Sequence, residues 1–189
     1  MPKIFSQEDR TVIREHLLAI GLQMLEEMPC QRISVDAVAA QAGIAKGTFY
    51  NFFPSKDRFF YAIAEKLMEE DRRQLEALLQ NSPAGRERVG QYLRQRYLSG
   101  RNLYDYFTME DLRRIMRTFP TEGDQPESSR FVEKLLAREP VRRECRPEVA
   151  VNLMNVLAMT ATQLHKLQVG GKEETLEVLI DSILCYIYG

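Results

Sequence analysis

Residues Ser34 to Phe53 read Ser-Val-Asp-Ala-Val-Ala-Ala-Gln-Ala-Gly-Ile-Ala-Lys-Gly-Thr-Phe-Tyr-Asn-Phe-Phe. At roughly 100° per residue in a helix, Phe49, Phe52 and Phe53 share one side, while Gly47, Thr48 and Asn51 share the other. The small, polar side is suited to hydrogen bonding with phosphates or base edges. Thr48 and Asn51 supply donors and acceptors, and Gly47 permits close backbone approach. Lys46 falls in the first turn, where its charge adds to the free amides in attracting a phosphate. Tyr50, at the edge of the aromatic side, can offer its hydroxyl to a sugar-phosphate chain. Lys56 and the amides that follow Ser55 form a second anion site.

Positioning these groups requires two helices meeting at a sharp turn. Such a pair needs a small residue at the crossing, a glycine in the turn and an apolar anchor in each helix, and Ala39, Gly43, Val38 and Phe49 supply them at helix-turn-helix spacing. Ser34 and Ala45, at the starts of the two helices, complete the candidate DNA-contact set. Upstream, Ser6 is placed to cap a first helix with Asp9 near its positive end, and Ile13, Leu17, Ile20 and Met24 form its stripe. Ser34 caps the second helix, which buries Val35, Val38, Ala39 and Ala42 before Gly43 ends it. The third runs from about Ala45 to Phe52 and stops at Pro54.

From Ser55 the pattern changes to long amphipathic segments. Phe59, Phe60, Ile63, Leu67, Leu75, Leu78 and Leu79 mark a fourth helix reaching the break at 81–85. Further helices are expected near 86–99, 102–118, 127–138, 147–168 and 172–188, with one long loop at 120–126. No stretch alternates as a strand would. The expectation is an all-α fold of about nine helices, with an N-terminal three-helix helix-turn-helix domain (1–53) and a larger C-terminal helical bundle (54–189).

The 189 residues are 44% hydrophobic and 28% charged, with a net charge of −1, so a globally basic polyanion binder is excluded. Within 1–58, seven cations face seven acids, and a nucleic-acid reading requires the acids to point away from the phosphates. The longest apolar run, Phe59 to Ala64, is too short to cross a bilayer, and no signal-like segment follows Lys3. A cytoplasmic protein without membrane contact is expected. Cys30, Cys145 and Cys185 fit neither a disulfide framework nor paired metal-ligand spacing, and the two histidines, His16 and His165, form no chelating pair. No metal, cofactor or enzymatic activity is expected, since no catalytic order or phosphate-cradling glycine loop is present.

The run Gly-Thr-Phe-Tyr-Asn-Phe-Phe-Pro-Ser-Lys-Asp-Arg-Phe-Phe, Gly47 to Phe60, resembles the signature of the TetR (tetracycline repressor) family of bacterial transcription regulators. The resemblance covers about 50 residues, from the first helix into the fourth. It implies a DNA-binding domain, a second helical domain that takes a small effector, and dimerisation through the last two long helices. By position, Lys46, Thr48, Tyr50 and Lys56 match residues that touch DNA in the family. Asn51 and Phe52 depart from the Tyr-or-Arg and His often found there, which leaves base preference open.

For an effector of hydrophobic or aromatic character, the candidate lining is Tyr92, Tyr104, Phe107, Met116, Phe131 and Met159, with polar handles from Asn155 and Thr162, and from Gln163 or His165. Most middle-chain aromatics and methionines serve equally well as ordinary core. In the penultimate helix Val149, Leu153, Leu157, Thr160 and Leu164 line one side, and Ala158 and Ala161 allow close approach. The final helix offers Leu176, Leu179, Ile180, Ile183, Leu184 and Ile187. These stripes either close the bundle core or form an isologous four-helix homodimer interface, which two-fold reading of a double-stranded operator favours. The competing function is a helical adaptor that binds a partner protein and no DNA.

Overall fold

In a computed structural model, residues 6–80, 85–99, 103–118, 127–163 and 170–189 are described. The described residues form ten helices: α1 (Gln7–Glu27), α2 (Val35–Gln41), α3 (Lys46–Tyr50), α4 (Lys56–Gln80), α5 (Gly85–Leu98), α6 (Leu103–Tyr106), α7 (Met109–Thr118), α8 (Glu127–Leu136), α9 (Pro147–Thr162) and α10 (Lys172–Tyr188). The expected 120–126 loop, most of the break at 81–85, Phe119, Leu164 and His165 lie outside the described residues. No described helix is long and apolar enough to cross a membrane.

The chain divides into two compact units, 1–67 with 110–120, and 68–109 with 121–189. The first unit therefore extends past the expected boundary at residue 53 and recruits α7. The reason is apolar. Phe59, Phe60 and Ile63 at the start of α4 are fully buried, as are Phe49 and Phe53 from the helix-turn-helix. Their rings form one cluster: Phe53 and Phe59 lie 5.0 Å apart, Phe49 and Phe59 5.3 Å, and Phe59 and Phe60 5.3 Å. Each buried phenylalanine contributes about 1.5–3 kcal/mol by removal from water, so the cluster cannot be divided between two domains.

The local signals act as their chemistry dictates. Ser6 closes a reciprocal capping box with Asp9 at α1, and the Ser34 hydroxyl accepts the Ala37 amide at α2. Gly43, between α2 and α3, has φ +66°, the left-handed conformation that a Cβ would strain. Two boundaries differ from expectation. The third helix ends at Tyr50, not Phe52, because Phe52 donates to the Phe49 carbonyl at 2.9 Å in a tighter last turn that returns Phe53 to the core before Pro54. The segment read as one helix, 102–118, is two, broken at Phe107 and Thr108. Phe107 is buried, and Thr108 followed three residues later by Asp111 is an N-terminal pattern that starts a new helix.

In the second unit, α10 packs on both α5 and α9, and α8 lies against α9. Val89, Leu93, Val132, Leu157, Leu176, Ile180 and Ile187 are fully buried there. Tyr92 stacks on Phe131 at 5.6 Å, and Tyr97 on Tyr104 at 5.7 Å. Glu139, also buried, accepts from the Gly85 amide at 2.8 Å, capping α5, and from the Tyr188 hydroxyl at 3.2 Å.

A glycine sets the closest approach in the first unit. A Cβ on Gly21 of α1 would lie 2.4 Å from Phe59 Cζ and 2.7 Å from Ile63 Cδ1. The Phe59 ring is wedged among three other rings and cannot swing aside. Gly21→Ala should therefore lower unfolding free energy by about 1–3 kcal/mol in urea titration, the overpacking penalty exceeding the gain in helix propensity. An unchanged or raised midpoint would contradict this packing.

Candidate nucleic-acid interface

Burial of Phe49 and Phe53 fixes the rotation of α3. With the aromatic side inward, Ala45, Lys46, Gly47, Tyr50 and Asn51 are exposed, and Thr48 is half-buried. A Cβ on Gly47 would meet nothing within 4 Å, so its surface is open. Tyr50 remains 44% exposed although its ring packs edge-on against Phe49. Phe52 and Phe53 are each covered by a guanidinium, Arg10 at 5.3 Å and Arg14 at 5.4 Å from the ring centres. Arg10 also donates to the Asn51 carbonyl at 3.4 Å, tying α1 to the end of α3.

The two lysines expected to meet phosphate are already engaged. Lys46 Nζ forms an exposed ion pair with Asp36 Oδ2 of α2 at 2.8 Å. The hydrogen bond to Asp36, then its charge, raises the Lys46 pKa above the ordinary lysine value. Lys56 Nζ donates to the Gln31 carbonyl at 2.9 Å and lies 5.8 Å from the Phe60 ring centre. The Ser55 hydroxyl accepts the Arg58 amide at 3.0 Å, so it caps α4 and removes one of the amides expected to bind an anion. Ser34 is exposed, with its hydroxyl likewise used as a cap.

Acids that would repel a polyanion are partly neutralised within the same unit. Glu15 pairs with Lys66 at 2.5 Å, Asp36 with Lys46, and Asp57 approaches Arg114 at 3.8 Å. The composition gave no indication of these partners, which lie 51 and 57 residues away for Glu15 and Asp57.

A buried polar cluster, which the sequence reading missed, joins α7 to this unit. Asp111 is 3% exposed and accepts from the Cys30 thiol at 3.1 Å, from the Gln31 side-chain amide and from Arg114 at 3.5 Å. In the sequence the run Glu110, Asp111, Arg113 and Arg114 reads as a solvated helix face, and nothing marks Asp111 as the partner of Cys30. Burial first, then the bond to Asp111, pushes the Cys30 thiol up to about 12.

The second-unit expectations fare differently. Tyr92, Phe107 and Phe131 are buried and Tyr104 and Asn155 half-buried, all in that unit, whereas Met116 belongs to the first. Met159 is 59% exposed, which removes it from a buried lining. Thr162 is buried, and its hydroxyl donates to the Met159 carbonyl at 2.9 Å within its own helix, which commits its proton and leaves it only as an acceptor. Tyr92 gives its hydroxyl to Asp71 at 3.0 Å, and Arg96 reaches both.

The dimer stripe requires a larger correction. Leu157, Leu176, Ile180, Ile183, Leu184 and Ile187 are all buried within their own unit, so they close the bundle core and cannot face a partner. Val149, Leu153, Thr160 and Ala161 are half-buried. The outward apolar groups are instead Val156, Met159 and Val178, at 48%, 59% and 65% exposure. A helix with apolar residues on more than one side buries only the side its neighbours reach, and periodicity alone did not reveal which.

The described elements are all helices, and the helix-turn-helix among them presents a small polar helix face to solvent. Residues 17–63 match the family model of bacterial regulatory proteins, tetR family. The nucleoid occlusion factor SlmA of Shewanella frigidimarina is 44% identical over 52 residues, 28% of this chain and 26% of that protein. The match thus spans about a quarter of that relative's length. Among solved structures, the reduced form of NemR from E. coli has a TM-score of 0.64 at 22% identity, over 93% of this chain and 97% of that one. RolR in complex with resorcinol has a TM-score of 0.60 at 18% identity, over 96% and 90%. These similarities establish the fold.

The thiols provide a direct check on the buried cluster. At pH 8, well below its folded pKa, Cys30 should remain unmodified by an aromatic disulfide reagent while exposed Cys185 reacts first. Peptide mapping that finds Cys30 modified in the folded protein as fast as Cys185 would contradict the arrangement.

Proposed function

We propose that the protein is a transcription regulator, a repressor that binds a pseudo-palindromic operator as a homodimer and is released by a small hydrophobic or aromatic effector. The observation that carries this reading is the exposed face of Lys46, Gly47, Tyr50 and Asn51, held outward by buried Phe49 within a segment matching the TetR family. Thr48 and Asn51 read base edges, Gly47 admits the groove wall, and Lys46, Tyr50 and Lys56 meet the backbone, with Ser34 and Ala45 at the helix starts. On DNA, phosphate replaces Asp36 as the partner of Lys46, so association exchanges one ion pair for another.

Symmetry follows from the target. Two recognition helices set roughly 34–36 Å apart meet successive major grooves. Support for the dimer comes from Val156, Met159 and Val178, large apolar groups left in water on the adjacent helices α9 and α10. Half-buried Leu153 and Ala161 supply additional apolar surface on α9.

The effector would enter the second unit. Support comes from the stacked pairs Tyr92–Phe131 and Tyr97–Tyr104, from half-buried Asn155, and from Gln163 Oε1, a buried acceptor with no hydrogen-bond partner among the described residues. Such an acceptor suits a ligand hydroxyl or amide. RolR, of similar fold, was solved with an aromatic diol, resorcinol.

Two experiments test the reading. In fluorescence anisotropy with duplex flanking the protein's own coding region, Lys46→Ala should weaken binding several-fold, and Asp36→Asn should strengthen it by removing a repelling charge and freeing Lys46. Normal affinity in both variants would remove Lys46 from the interface. In light scattering, the wild type should be dimeric at micromolar concentration and Met159→Asp/Val178→Asp monomeric with its helicity intact. A monomeric wild type would refute the dimer.

A further inference from the structure

The N-terminal segment of the first unit has no net excess of cations for a DNA reader. Residues 1–67 carry eight Lys or Arg and eight Asp or Glu, so their formal charge is zero. Lys46 is tied to Asp36, Lys66 to Glu15 and Lys56 to the Gln31 carbonyl. Polyelectrolyte binding draws its strength from cations that displace counterions at phosphates. The same compact unit also contains 110–120, which adds Arg113, Arg114 and Arg117 against Glu110 and Asp111.

The arginines of α7 line a groove of about 680 Å³ together with Gln31, Glu110 and Asp111. Asp111 is buried and accepts from three donors, so its charge is directed inward. Arg114 is anchored on Asp111 and Asp57. Arg113 and Arg117, one helical turn apart, are exposed and make no hydrogen bond or ion pair with the described residues. Gln31 connects this groove to the candidate interface, because its carbonyl holds Lys56 while its side-chain amide holds Asp111.

From these observations we propose that Arg113 and Arg117 of α7 are additional contacts to the DNA sugar-phosphate backbone, flanking the region met by Lys56. The occupant is set by charge and continuity. A polyanion already seated at Lys56 extends past Gln31, and the two exposed guanidiniums add positive charge beside a segment whose formal charge is zero. Arg114 acts as a strut, holding α7 against the start of α4 through Asp57 and against the α1–α2 connection through Asp111. The contacts are sequence-independent, since guanidiniums on phosphates fix position and register but read no base.

This inference rests on the DNA-binding reading and can fail separately from it. Binding of full-length protein to a fluorescent 30-base-pair duplex of arbitrary sequence is measured between 50 and 200 mM KCl, with thermal melting of every variant. If each arginine displaces about one counterion, Arg113→Ala/Arg117→Ala should reduce the slope of log K against log [KCl] by about two per bound chain, at unchanged melting temperature. Arg113→Lys/Arg117→Lys should restore the slope. A slope and affinity unchanged by the double alanine variant, while Lys46→Ala still weakens binding, would overturn the role of α7 and leave the DNA-binding reading standing. Failure of the wild type to bind any duplex would overturn both.

Discussion

The inward seating of Phe49 is the constraint from which the rest of the first unit follows. Its ring meets Phe53 and Phe59, and Phe59 in turn rests in the space that Gly21 leaves by having no side chain. A five-residue helix such as α3 has no stability of its own. Its rotation is fixed because the aromatic side is removed from water, which leaves Gly47, Tyr50 and Asn51 in solvent. The exposed face is thus the complement of the core, and a change in core shape would turn that face with it.

Charge imposes the second condition. A unit whose formal charge is only +1 can engage a polyanion only if its acids are occupied or turned away. Asp36, Glu15, Asp57 and Asp111 each have a cationic partner in the same unit. These pairs are exposed apart from that of Asp111, so they add little to stability and are weakened by salt. Under the proposed DNA-binding function their consequence is for binding, since Lys46 would exchange a carboxylate for a phosphate and the gain would be the difference between two similar interactions.

Asp111 differs because it is buried. A carboxylate at 3% exposure is tolerated only when its lone pairs are satisfied, and Cys30, Gln31 and Arg114 supply donors from two parts of the chain. Removing one donor would leave a charge in a poor environment, which makes this cluster a stricter tie than the surface pairs. It is the polar counterpart of the phenylalanine cluster and accounts for α7 joining the first unit.

Capping and turn chemistry were legible in the sequence because they are local: Ser6, Ser34, Gly43 and Ser55 act on neighbours within a few residues. The helical periodicity and the face carried by residues 47, 48 and 51 were legible for the same reason, since adjacent side chains define a helix side without reference to the rest of the molecule. What only the tertiary structure decided were matters of partnership across long stretches of chain. It assigned Leu176, Ile180 and Ile187 to the core while leaving Val178 and Met159 in water, and it gave Asp111 to Cys30 and Gln31. It also engaged Lys46 and Lys56 before any ligand arrives. An apolar stripe records that a helix side avoids water, and a charge records that it needs a counterpart; neither records which neighbour supplies it, because that depends on where distant segments come to rest.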